Sequence, residues 1–261
     1  MSNYIGINGT NVEIDATVEH YPMPRPPSRF GIVCRKAPPD LGVIHWTAGE
    51  NPAPTVFATL DARGLSIHFV IDREGVIHQR VDPGIWLCTH AGGRANRRSV
   101  GIEVVNYGHA GRRAPMDPDR PTYEGTVHGW TTTMADFYPC QYDALDALCR
   151  LLSDHLPIDL TVPSGADERL STKDLQEYSG WLGHYHVQLI SMEHPKICPG
   201  SKVIDTLGKR WSKQYRKPVD PLADTDLPMS EPPDIWEPDP EPVEECVDTR
   251  SAWSSSPEDD D

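Results

Sequence analysis

SIHFVIDREGVIHQRV, residues 66–81, carries two β-branched apolar runs on either side of DREG. Asp and Gly at the ends of that break favour a turn, so the stretch predicts a β-hairpin. Upstream, GVIHW (42–46) is a short apolar run stopped by Thr47, Ala48 and Gly49; downstream, SVGIEVVN (99–106) is a second β-branched run. Runs that are apolar without alternation belong to strands buried on both faces. NPAPTVFATLDARG (51–64) reads as a short helix, with proline in its first turn and Gly64 at its end. YPCQYDALDALCRLLSDHL (138–156) is the clearest helix, because Tyr142, Leu145, Leu148, Cys149 and Leu152 fall on one stripe. GSKVIDTLGKRW (200–211) gives another, through Val203, Leu207 and Trp211. Strands near residues 44, 68, 78 and 102, with helices between and after, predict an α/β fold in which helices cover a mixed central β-sheet.

The remaining segments set the domain boundaries. Residues 1–40 read as a Pro-rich, irregular N-terminal extension, with a short strand expected only at FGIVCRK. Residues 41–217 form the expected main domain, with 107–137 as a long loop and 157–180 as a second insertion. Residues 218–261 hold nine prolines and 15 acids against one arginine. Such a tail buries too little apolar surface to offset its ordering entropy, so disorder is expected. The chain's net charge of −15 therefore sits almost wholly in the tail, leaving 24 acids against 23 bases in residues 1–217. A body this close to neutral has no electrostatic footprint for nucleic acid. No stretch reaches the roughly 18 apolar residues of a membrane span. The N-terminus lacks the basic start and apolar run of a signal peptide, so synthesis in the cytoplasm without one is expected. The six cysteines form no CxxC pair, and a reduced chain is the simpler reading.

Three residues stand out as metal donors. His45 ends a buried strand beside a glycine turn. His184 follows Gly183 in GHYHV. Cys198 sits in KICPG, where a helix begins and its dipole favours a thiolate. A catalytic zinc uses three such protein ligands and keeps a fourth position open. Taken singly, a strand-end histidine and a small core cysteine are more often structural than metal ligands; Glu103 fits a strand-end ion pair as well as a catalytic role, and Lys196 on its own reads as a solvated side chain.

GVIHWTAG, SIHFVIDREGVIHQRV, THAGGRANRRSVGIEVVN, YPCQYDAL and GHYHV…KICPG occur in one order. Over residues 40 to 212 the chain resembles the zinc N-acetylmuramoyl-L-alanine amidases of the amidase-2 family, which includes phage endolysins, muropeptide-recycling amidases and peptidoglycan recognition proteins. The resemblance implies one Zn2+ per chain held by His45, His184 and Cys198. It assigns Glu103 and Lys196 to catalysis, Glu103 as the group that moves protons and Lys196 as the cation beside the oxyanion. His68, His90, Asn96 and Trp46 become candidates for substrate contact. Two positions depart from the family pattern. His186 stands where an acidic residue is usual, so it competes with His184; if the two alternate along a strand only one reaches the metal, and His184 is favoured because it follows Gly183. Ile67 stands before His68 where many relatives carry a tyrosine, so this position offers no hydroxyl for a tyrosine-assisted step.

The resemblance implies hydrolysis of the amide between N-acetylmuramic acid and L-alanine in peptidoglycan, as an endolysin, a recycling enzyme or an antibacterial effector. The alternative is a non-catalytic peptidoglycan- or muropeptide-binding module of the same fold. Expected partners are peptidoglycan or muropeptides, with a delivery, adaptor or immunity protein at the acidic tail, and a monomer is expected. The site of action is the cell wall after release or delivery, or cytoplasmic muropeptides.

Overall fold

The computed structural model describes residues 2–108, 120–163, 167–188, 195–211 and 214–215. In chain order the strands are β1 (Ser2–Ile7), β2 (Thr10–His20), β3 (Val33–Cys34), β4 (Leu41–Trp46), β5 (Phe69–Ile71), β6 (Ile77–Gln79) and β7 (Trp86–Leu87). They continue as β8 (Ser99–Val104), β9 (Thr122–Val127), β10 (Trp130–Ala135), β11 (Val162–Pro163), β12 (Gly180–Gly183) and β13 (Gln214–Tyr215). The helices are α1 (Ala53–Ala62), α2 (Gly93–Arg98), α3 (Pro139–His155), α4 (Thr172–Glu177), α5 (His184–Val187) and α6 (Ser201–Trp211). Seven strands form the central sheet in the order β1-β2-β6-β5-β8-β4-β12. The sheet is mixed, with antiparallel pairs at β1–β2 and β5–β6 and parallel pairs elsewhere. It is the expected mixed sheet covered by helices. No helix among the described residues is long and apolar enough to cross a membrane.

The pleat separates core from site. Along β4 and β8, Ile44, Trp46, Ile102 and Val104 face the main core, with the stripe of α3 and with Val203, Ile204, Leu207 and Trp211 of α6. Successive side chains point to opposite faces, so His45 and Glu103 share the other face. Parallel neighbours β8, β4 and β12 also bring their carboxyl ends to one edge. In open α/β sheets such an edge is where ligands bind. The register sets His45 beside Glu103 and Ile44 beside Gly183, which delivers His184 next to His45.

Gly42 and Trp181 are register partners, and the indole lies over the glycine. Trp181 is fully buried and its Nε1–H donates to Ser153 Oγ at 3.0 Å, which fixes the ring. A Cβ at Gly42 would stand 2.1 Å from Trp181 Cε3. Gly42→Ala is therefore expected to lower stability by about 1–3 kcal/mol, read as a shift of the urea midpoint. An unchanged midpoint would show that β12 slides without cost.

The structure corrects four expectations. Residues 1–40 are not irregular: β1 and β2 form a hairpin that extends the sheet through the parallel β2–β6 pair. Its turn, Asn8-Gly9, has both φ positive (53° and 75°), the conformation that Asn-Gly favours. Gln79 locks the hairpin down by accepting from Gly6 N and donating to Gly6 O at 2.8 and 2.7 Å, and the Asp82 carboxylate accepts from Asn8 N and Gly9 N. Within 107–137, the expected long loop contains the β9–β10 hairpin, turned at His128-Gly129 with φ 55° and 71°. His184 and His186 lie on the one-turn helix α5, not on a strand. Cys34 is disulfide-bonded, against the reading of a fully reduced chain, while Cys88, Cys140, Cys149 and Cys198 are free. The acidic tail, residues 218–261, lies outside the described residues.

Candidate metal centre

His45 near the end of β4, His184 opening α5 and Cys198 ahead of α6 converge. One donor atom from each lies within 4.8 Å of the others, and all three residues are buried. The two imidazoles meet edge to face, centroids 4.3 Å apart. Two main-chain contacts place the sulfur: Trp46 N–H donates to Cys198 Sγ at 2.8 Å, and Tyr185 N–H donates to Cys198 O at 3.1 Å. The segment before α6 is thereby tied both to the end of β4 and to α5. Such a group is placed to hold one metal ion.

Burial settles the protonation of the imidazoles. It holds His45 well below its ordinary value, helped by the neighbouring His184, His90 and Lys196. Burial also brings His90 and His184 down to about 3. All three are neutral at pH 7, and a neutral imidazole keeps one nitrogen lone pair that His45 and His184 can offer to a cation. The Cys198 thiol is pushed up by burial and by the nearby Glu103 carboxyl, against the pull of Trp46 N–H and Lys196. A thiol so placed keeps its proton until a cation displaces it.

Glu103 is half-buried, and its Oε2 is shut off from solvent with no hydrogen-bond partner. Burial pushes the carboxyl up to about 8, while the charges of Lys196 and of Arg63, at the end of α1, pull it down. A carboxyl close to neutrality can both take and give a proton near pH 7. The Lys196 side chain is half-exposed; its main-chain carbonyl accepts from His128 Nε2 at 3.1 Å, so the β9–β10 turn braces the segment that leads to Cys198.

The other sequence candidates divide. His90 is in the cluster, its Nδ1 3.0 Å from His45 Nε2. His186 is not in the metal group; its Nδ1 turns back to accept Gly183 N–H at 2.9 Å. His68 is fully buried, with Nδ1 accepting Gly101 N–H and Nε2 donating to Trp86 O, so it braces β8 and offers no surface to a ligand. Asn96 Oδ1 accepts from His90 N and Ala91 N, at 3.0 and 2.7 Å, and so shapes the turn that carries His90. Trp46 packs in the core with Gly108 against its ring. Sequence reasoning did not reach Gln188, Ser99 or Arg63. Gln188 is four residues beyond His184, a spacing that signals a contact only once α5 is known to be helical.

The family model for N-acetylmuramoyl-L-alanine amidases (Amidase_2) matches residues 35–201, more than half of the chain. A comparison with curated proteins finds no significant match. Among experimentally determined structures, the N-acetylmuramoyl-L-alanine amidase LysC from Clostridium intestinale URNW is 19% identical, covering 65% of this chain and 85% of its own, with a TM-score of 0.37. A mutant endolysin from Bacillus subtilis is 18% identical, with 76% and 97% covered and a TM-score of 0.45. An endolysin from a Thermus scotoductus MAT2119 bacteriophage is 16% identical, with 67% and 88% covered and a TM-score of 0.39.

Proposed function

We propose, because this chain belongs to the N-acetylmuramoyl-L-alanine amidase family, that it hydrolyses the amide joining N-acetylmuramic acid to L-alanine in peptidoglycan or its soluble muropeptides. One zinc ion held by His45, His184 and Cys198 would serve the reaction. The observation that carries this reading is the convergence of those three donors, within 4.8 Å of one another, at the edge where β8 presents Glu103. The donor set suits the ion, since neutral imidazole and thiolate are zinc's preferred ligands and three of them leave a position open.

When bound, zinc would supply Lewis acidity toward the scissile carbonyl and a water made acidic enough to attack near neutral pH. The chain's own groups do the rest. Glu103 takes a proton from the attacking water as the new C–O bond forms. It then gives that proton to the muramoyl–alanine nitrogen as the C–N bond breaks, so the peptide leaves as a neutral amine. Lys196 offers its ammonium to the negative charge that gathers on the carbonyl oxygen. The test is digestion of intact sacculi and soluble muropeptides by zinc-loaded full-length protein, with products identified by mass. Stem peptides beginning at a free L-alanine are expected. Release of sugar fragments alone, or no release at all, would reject the proposed reaction.

A further inference from the structure

We propose that Gln188 and the His90–Ser99 pair are outer partners of the metal site, fixing the ring tautomers of His184 and His45 and tuning the metal through them. This rests on the zinc reading above and adds residues to it. His184 Nε2 lies 2.8 Å from Gln188 Oε1. An amide oxygen only accepts, so the ring proton is on Nε2 and the lone pair is on Nδ1. His45 repeats the arrangement through an intermediary. Its Nε2 faces His90 Nδ1 at 3.0 Å, and His90 Nε2 faces Ser99 Oγ at 3.2 Å. Each of these buried neutral imidazoles carries one proton. Because Ser99 Oγ can donate or accept, the line can run either way, but only one direction leaves a lone pair on His45 Nδ1 for a metal: His45 Nε2–H donates to His90 Nδ1, and His90 Nε2–H donates to Ser99 Oγ. Both metal-group histidines then present Nδ1, a nitrogen without a hydrogen-bond partner among the described residues.

The surrounding contacts hold these partners in place. Asn96 fixes the main chain at His90, and Gln188 N–H donates to His184 O at 3.1 Å, which closes α5 and sets the Gln188 side chain over the ring. Both outer acceptors are neutral. A carboxylate behind a ligand histidine makes that ligand more basic and the metal more tightly held. A neutral amide or imidazole leaves the metal the stronger Lewis acid. The site therefore gives up affinity in favour of electrophilicity, and the two should move in opposite directions when the acceptor is changed.

The test uses full-length protein, with zinc affinity measured by competition against a chromophoric chelator and turnover measured on muropeptides. Gln188→Leu removes the acceptor and is expected to weaken zinc about 10- to 100-fold. Gln188→Glu supplies a charged acceptor and is expected to tighten zinc while lowering kcat. Ser99→Ala and His90→Ala are expected to weaken zinc, with His90→Gln restoring part of it because its amide oxygen can again accept from His45. In the cadmium-113-loaded protein, metal coupling to imidazole nitrogen is expected at Nδ1 of both His45 and His184. Coupling at Nε2, or Gln188→Leu and Gln188→Glu both within twofold of the parent affinity, overturns the proposal. Should the parent protein take up no zinc, the functional reading itself fails, which these variants do not decide.

Discussion

Glu103→Gln is expected to lower kcat/KM on purified peptidoglycan by about 10²- to 10⁴-fold, the range a general acid–base contributes, with zinc content at the parent level. The substitution keeps the shape of the side chain and removes only its ability to exchange a proton. Glu103 sits on β8 opposite His45, outside the donor group, so the site that would hold the ion is untouched. Its stability effect has the opposite sign. Burial raises the carboxyl to about 8 in the metal-free fold, against an ordinary carboxylate value near 4.3 in the unfolded chain. The charged form is therefore the disfavoured one. Its cost is absent below the unfolded pKa and grows as pH rises toward the folded one. Metal-free Glu103→Gln is thus expected to melt higher than the parent at pH 7 and at the same temperature near pH 4. Lost activity with gained stability is the signature of a group placed for chemistry. Unchanged turnover would take Glu103 out of the mechanism, whatever its melting temperature does.

The sheet was legible because its strands are apolar for simple reasons. GVIHW and SVGIEVVN are buried on both faces and could scarcely be anything else, and the α3 stripe predicted from Tyr142 to Leu152 is buried throughout. Two of the missed strands, β2 and β9, have a wet outer face, whereas β12 is buried throughout but only four residues long. In β2 only Ile14 and Val18 are buried, among the exposed Asn11, Glu13, Asp15 and Thr17, and in β9 only Gly125 and Val127. There the turns carried the signal, Asn8-Gly9 and His128-Gly129, and they outrank the polar composition around them. Strand alternation predicts that only one of His184 and His186 reaches the metal, and the preceding Gly183 favours His184, but α5 is a single turn, too short for any periodicity to identify. Four residues of helix send the two rings apart as effectively as a strand would. Outer contacts such as Gln188 to His184 follow from that helix alone, so no reading of spacing could have supplied them.

Zinc added to the metal-free protein is expected to raise its melting temperature, and Cys198→Ala or His45→Ala is expected to abolish the rise. At free zinc a thousandfold above Kd, binding adds about 4 kcal/mol to the folded state. At roughly 2–4 °C per kcal/mol for a domain of this size, that is on the order of 10 °C. The increment, not the absolute melting temperature, is the quantity to compare. Cys198 Sγ accepts the Trp46 N–H at 2.8 Å, so its removal orphans a buried donor and costs about 1–3 kcal/mol even without metal. His186→Ala supplies the contrast. It deprives Gly183 N–H of its acceptor and should lower the starting temperature, yet it should leave the zinc increment intact because its ring faces away from the donor group. The increment should also grow as pH rises, since binding must displace the proton that burial keeps on Cys198. An increment that survives in Cys198→Ala but vanishes in His186→Ala would mean that the ion is held elsewhere, and the convergence of His45, His184 and Cys198 would then be packing alone.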